Sequence, residues 1–176
     1  AELTLDASSL YPITDVGLDL GATGKRFETA YVRKLHMDAS DDGVANENYS
    51  GMSVTLRVGD GAAVAPFDLV CISDLTNEVE VADADAIATS RVIGINPLNV
   101  TISDNAEGVI LLHGFVRYDA WGWTTGATIY LSTSGTGSTL TTTAPSGTND
   151  CVVPVGIALE PDMIYFNPTQ TIIEHA

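Results

Sequence analysis

The sequence is poor in cysteine, and this shortage excludes several classes of protein. Its 176 residues include two cysteines, Cys71 and Cys151, which cannot build a disulfide framework or a cysteine-rich zinc site. Both lie in apolar runs, where a free thiol packs as a small hydrophobic residue, so we expect reduced, buried thiols and synthesis in a cytoplasm. No apolar run approaches the roughly 18 residues of a transmembrane helix, and we expect no membrane insertion.

Basic residues are also scarce. Seven lysines and arginines face 23 aspartates and glutamates, which gives a net charge of −16. A chain of this charge repels phosphate backbones, so nucleic acid is excluded as a partner. A divalent cation or a basic surface would suit the charge better. The simplest interpretation is that the acidity keeps the protein soluble.

The chain is rich in short apolar runs that are separated by turn residues. Residues 52–58 (MSVTLRV) alternate apolar and polar side chains with the period of a half-buried β-strand. Further runs, such as DLVCIS, GVILLHGFVRYD and VVPVGIAL, follow at roughly 8–12-residue spacing with Gly-, Asn-, Asp- and Ser-rich turns between them. No long helical period occurs. The pattern predicts an all-β fold, an antiparallel β-sandwich or small barrel of many short strands.

Composition divides the chain near residue 40. Residues 1–38 carry four basic and six acidic residues, whereas the remainder carries three and 17. The polar stretch DASDDGVANENYSG, which begins at Asp38, has the composition of a linker. The predicted organisation is a small N-terminal turn and strand module (1–38), a linker (39–50), a β-sandwich domain (51–168) and a C-terminal tail (169–176). The tail is expected to add a last strand or to pair with a neighbouring subunit.

The stretch GATGKR, residues 21–26, resembles part of a phosphate-binding loop but lacks the residues that bind the phosphate and its metal ion. Such a loop needs G-x-x-x-x-G-K-[ST], yet Arg26 stands at the Ser/Thr position and Asp19 at the first glycine. The sequence has three histidines but no nucleophile-elbow motif G-x-S-x-G, and the histidines are not spaced as zinc ligands are. The sequence therefore predicts a non-catalytic protein without a cofactor or a metal. A structural calcium ion in one of the acidic loops stays an alternative.

Aromatic residues are concentrated in the stretch VRYDAWGW. Tyr118, Trp121 and Trp123 are the best candidates for stacking on a sugar ring. The competing interpretation is that Trp121 and Trp123, which alternate, share one face and fill the core or a subunit interface. The second interpretation is the more economical one, and both stay open at this point.

Residues 10–35 carry the most distinctive motif, of the form P-x-x-D-x-x-x-D-L-G-x-x-x-x-R-[FW]-x-x-x-Y. The matching residues are Pro12, Asp15, Asp19, Leu20, Gly21, Arg26, Phe27 and Tyr31. This pattern resembles a short motif common in bacteriophage tail fibres and tailspikes. The chain departs from the family at Phe27, where tryptophan is usual, and at Ala30, where isoleucine is frequent. The resemblance implies a virion protein.

The residues of the motif themselves indicate a structural role. Gly21 and Gly24 permit a tight reversal, and Phe27 and Tyr31 lie four residues apart, so that both can face inward from one helical turn. Asp15 or Asp19 is placed to pair with Arg26. Because so small a module buries little surface alone, we expect it to attach or trimerise the chain.

Four later segments resemble a β domain of phage fibre and head-decoration proteins. They are residues 126–132 (GATIYLS), 140–145 (LTTTAP), 153–159 (VPVGIAL) and 164–168 (IYFNP). Proteins of both kinds are typically homotrimers, so the resemblance implies a homotrimer here.

These features together predict a non-catalytic structural protein on the surface of a bacteriophage virion, made in the host cytoplasm. The expected form is a homotrimeric tail-fibre-type appendage that contacts the host receptor. A capsid decoration or head-fibre protein is the alternative, and a carbohydrate-binding module is a further one. The expected partners are its own copies, other tail or capsid proteins and, as a candidate, a host surface glycan.

Overall fold

The computed structural model describes the strands Leu3–Leu5 and Leu10–Pro12 and residues 49–59, 61–75, 78–134 and 139–175. The chain divides into two compact units, Ala1–His36 and Met37–Ala176. In the first unit, β1 (Leu3–Leu5) pairs antiparallel with β2 (Leu10–Pro12). The residues predicted to form the motif module lie outside the described residues: Asp15, Asp19, Leu20, Gly21, Arg26, Phe27 and Tyr31.

The described part of the second unit contains strands and no helix. The strands are β3 (Tyr49–Arg57), β4 (Leu69–Ile72), β5 (Val79–Val81), β6 (Gly94–Ile95), β7 (Glu107–Arg117), β8 (Thr128–Leu131), β9 (Leu140–Thr141), β10 (Cys151–Val152), β11 (Pro154–Glu160), β12 (Met163–Phe166) and β13 (Ile173–Glu174). The all-β antiparallel fold predicted from the sequence is therefore confirmed.

Nine of these strands form one antiparallel sheet in the order β5-β4-β6-β7-β12-β11-β8-β9, with β3 paired to β7 off this path. The sheet curls into a half-barrel. This architecture is intermediate between the β-sandwich and the small barrel that the sequence predicted. Its centre is β7, whose 11 residues pair with β3 along most of their length and with β6 and β12. β3 begins at Tyr49, inside the segment predicted as a linker. In the predicted tail, β13 pairs with β10 as a separate two-stranded ladder.

Two hydrophobic cores cover opposite faces of the sheet at β4. Leu69 and Cys71 point into the larger one, called here the main core, while Val70 between them points into the second core. Residues buried on both faces explain why the sequence run DLVCIS is continuously apolar instead of alternating. The main core also takes its side chains from β7, β8, β11 and β12. The second core consists of Val58, Val64, Val70, Val79, Ile102 and Ile110.

Candidate functional site

One face of the sheet carries apolar and aromatic side chains that neither core covers. Directly opposite residues of an antiparallel ladder share a face. Met52 pairs with His113, Phe115 pairs with Tyr165, and Tyr165 pairs in turn with Ile157. His113 and Phe115 alternate along β7 and so share that face as well. These five residues, across β3, β7, β12 and β11, are called the outer face below.

The outer face is open to solvent. Met52 is 66% exposed and Ile157 is 47% exposed, while the three aromatic rings are half-buried. The side chains that alternate with them along the strands, such as Val116, Ile164 and Ala158, are buried in the main core. Each strand of this region therefore contributes apolar residues to both sides, and only one side is covered within the described chain.

The polar atoms of the outer face bind one another. His113 Nε2 lies 2.8 Å from the hydroxyl of Tyr165, and the two rings meet edge to face with centroids 5.3 Å apart. Phe115 packs against the other side of this pair, with its centroid 5.4 Å from that of Tyr165. The face contains no aspartate, glutamate, lysine or arginine, which is unusual for the surface of a chain with a net charge of −16.

An arginine borders the outer face. Arg117 lies two residues beyond Phe115 on β7 and is opposite Met163. Its guanidinium group binds Asp119 at 3.0 Å and Asp162 at 3.1 Å, and its side chain is only 12% exposed. The negative charge of both carboxylates is thus partly neutralised next to the apolar side chains.

The outer face continues to a free sheet edge. Among the described residues, β3 pairs only with β7, so that its other edge is not part of a ladder. Residues 52–55 of β3 are all exposed, so the side chains on both faces of the strand reach solvent there. Val54 thereby adds a second exposed apolar side chain to Met52. A long edge strand of this kind is a template for pairing or packing with another chain.

The predicted aromatic residues come together in one cluster. Tyr118 stacks on Phe67 with centroids 4.3 Å apart, Trp121 meets both rings, and Trp123 lies 5.7 Å from Trp121. The cluster packs against the main core, and Tyr118, Trp121 and Trp123 are half-buried. Sequence reasoning grouped Tyr118, Trp121 and Trp123 correctly but missed Phe67, which is distant along the chain.

Phe67 stands in a turn that holds a buried carboxylate. It has a φ of 62°, a conformation that an aromatic residue rarely adopts. Asp68 accepts a hydrogen bond from the Ala65 amide at 3.1 Å through Oδ2. Burial raises the pKa of Asp68 to about 6, although hydrogen bonds from Ala65 and Thr139 act in the opposite direction.

A shallow polar groove of about 280 Å³ lies beside β8 and β9. Its lining consists of Ser132, Thr133, Thr141, Thr143, Ala144, Pro145, Ser146 and Asp150. Asp150 accepts a hydrogen bond from the Gly147 amide at 2.5 Å. The carboxylate of Asp83, then desolvation and then the carboxylate of Asp150 raise the pKa of the exposed Asp85, so negative charge accumulates near the groove. Within the described residues, no three His, Cys, Asp or Glu side chains are grouped so that they could hold a metal ion.

The two cysteines lie where the sequence placed them. Both are free and buried in the main core. Burial, reinforced by the nearby Glu80 carboxylate, raises the pKa of the Cys71 thiol to about 12. A thiol of this pKa stays protonated and is a poor nucleophile at neutral pH.

Sequence reasoning missed the outer face. The one indication of this face in the sequence is that His113 and Phe115 alternate within a strand whose other residues have the apolar character of a core strand. Which side of that strand would be left uncovered depends on the pairing of β7 with β3 and β12.

The search for relatives returned no match among protein-family models, curated proteins or solved structures. Among the described residues there is also no helix with the length and apolar character needed to cross a bilayer.

Proposed function

We propose that this protein is a structural subunit of a bacteriophage virion, a homotrimeric appendage of the tail-fibre type. The observation that carries the proposal is the tail-fibre-like motif, from Pro12 to Tyr31, which precedes a β domain in the same chain. The four segments that resemble phage fibre and decoration domains coincide with β8, β9, β11 and β12. These strands are consecutive neighbours in the sheet, in the order β12-β11-β8-β9, so the four segments lie side by side in one domain.

The outer face adds physical support for a role in assembly. An apolar sheet face beside an edge strand such as β3, whose outer edge has no partner among the described strands, is typical of proteins that work in contact with other chains. In a phage particle such surfaces would join copies of the chain to one another or to the tail or capsid.

A capsid decoration or head-fibre protein is the alternative within the same class. Labelling of the purified virion with an antibody against this chain, followed by electron microscopy, distinguishes the two locations. We expect label on the tail or its appendages. Label on the head would replace the fibre assignment with the decoration assignment, and particles without label would overturn both.

A carbohydrate-binding role is the second candidate, and the aromatic cluster is the observation that favours it. Trp121 and Trp123 are only half-buried, so part of each indole is open to a sugar ring. Glycan-array binding that is lost in both Trp121→Ala and Trp123→Ala, with the fold retained, would support this role. Binding that both variants preserve would assign the cluster to packing alone.

A further inference from the structure

We propose that the outer face is the surface through which copies of the β domain contact one another, arranged about a threefold axis. This inference rests on the proposed function, because it names the residues that hold the homotrimer together. The N-terminal motif was expected to perform that task, and the inference adds a second contact within the β domain.

Charge favours a second copy as the occupant. Two chains with a net charge of −16 repel one another across most orientations, and 17 of the 23 acidic residues lie after residue 38, where only three basic residues offset them. None of the five residues of the outer face is acidic, and two acids beside it, Asp119 and Asp162, are bound by Arg117. An identical, equally acidic copy therefore meets reduced repulsion when it approaches this part of the described domain.

The shape of the face also favours a protein surface over a small ligand. The main core lies on one side of these strands, so that the outer face is a sheet surface on the opposite side. The polar groove is elsewhere, beside β8 and β9. Met52, at the β3 end of the face, adjoins the free edge, and a neighbouring copy would cover both at once. Three such faces about an axis would form a shared apolar centre of the kind found in homo-oligomers.

The test is the mass of the full chain in solution, measured by light scattering at micromolar concentration. Ile157→Lys and Met52→Lys each place a charge within the face. Val100→Lys makes the same kind of change at a site that is 59% exposed and lies outside the face, so it is the matched control. Circular dichroism and urea unfolding establish that each variant is folded.

We expect the wild type and Val100→Lys to have three times the mass of one 18.5 kDa chain, and both face variants to lose at least ten-fold in association. A trimer that persists in Ile157→Lys and Met52→Lys would overturn the inference. If that trimer dissociates in Phe27→Ser, the proposed function stands and assembly belongs to the motif. A wild-type monomer or dimer would overturn the threefold arrangement together with the homotrimer.

The virion-labelling experiment tests the proposed function separately from the outer-face contact. Unlabelled particles, combined with dissociation of the trimer by Ile157→Lys, would refute the proposed function and retain the outer face as a contact between copies.

Discussion

Gly51 and Gly114 face each other across β3 and β7, and each has a φ close to +150°. A Cβ on Gly51 would overlap the carbonyl oxygen of His113, and a Cβ on Gly114 would overlap that of Ser50. The two strands approach so closely here that no side chain fits. Next to this pair, between Met52 and Ser53, the register of the ladder shifts.

Substitution of either glycine is expected to destabilise the domain. Gly114→Ala combines a disfavoured backbone conformation with overlap against a fixed backbone atom, and should lower the free energy of unfolding by about 2–5 kcal/mol. Gly122→Ala is the control, because open space surrounds that position, and it should change stability by less than about 0.5 kcal/mol. Urea unfolding measures both. Equal effects would contradict the close-approach explanation.

The stability of the protein should depend on the protonation of Asp68. Its pKa is about 6 in the folded chain and 3.8 ordinarily, so between these values the folded state binds a proton that the unfolded state does not. This contribution is fully present below pH 3.8 and is lost as the pH rises through 6. We expect the free energy of unfolding of the wild type, relative to Asp68→Asn, to fall between pH 4 and 7. A difference that does not vary with pH would refute the linkage.

Arg117 and Arg57 form ion pairs in different surroundings, and their removal should have different effects. The Arg117 side chain is 12% exposed and binds two carboxylates, whereas that of Arg57 is 50% exposed and binds Glu78 at 2.7 Å. Arg117→Met should cost about 1–3 kcal/mol in unfolding free energy because it leaves two partly buried carboxylates without their cation. Arg57→Met should cost less than about 1 kcal/mol. A larger loss of unfolding free energy in Arg57→Met than in Arg117→Met would show that burial does not determine how much each ion pair contributes to stability.

The cysteines should not react with thiol reagents while the protein is folded. Burial blocks access to both thiols, and the raised pKa of Cys71, about 12, keeps that thiol protonated as well. Mass spectrometry after iodoacetamide treatment at pH 8 should find the native chain unlabelled and the urea-unfolded chain labelled twice. Rapid native labelling of Cys71 would contradict its burial.

The positions of the strands could be predicted from the sequence, but their mutual register could not. The alternation over residues 52–58 predicts one shared face for Met52, Val54, Leu56 and Val58. In the structure these residues do share one side of the sheet: Leu56 packs against the second core, Val58 lies within it, and Met52 continues the same side into the outer face. The register shift between Met52 and Ser53 could not be predicted, because it depends on how β3 pairs with β7, and the adjacent partners Gly51 and Gly114 are 63 positions apart in the chain.

Of the candidate site, the outer face was not predicted, but the aromatic cluster was predictable in part. Tyr118, Trp121 and Trp123 were grouped from their spacing because neighbours along the chain stay close in space. Phe67, which stacks on Tyr118, was not found, since only the folded sheet brings it there. The burial of Asp68 was likewise beyond sequence reasoning, because an aspartate in a turn is ordinarily exposed.

The sequence by itself determined the all-β class, the approximate strand positions and the burial of both cysteines. These follow from local causes: the two-residue period of strands, the turn residues between them and the apolar runs around each thiol. Only the tertiary structure decided the half-barrel, the outer face and the environment of Asp68. Each depends on which distant strands lie side by side and in what register, and a shift of one residue moves a side chain to the opposite face of the sheet.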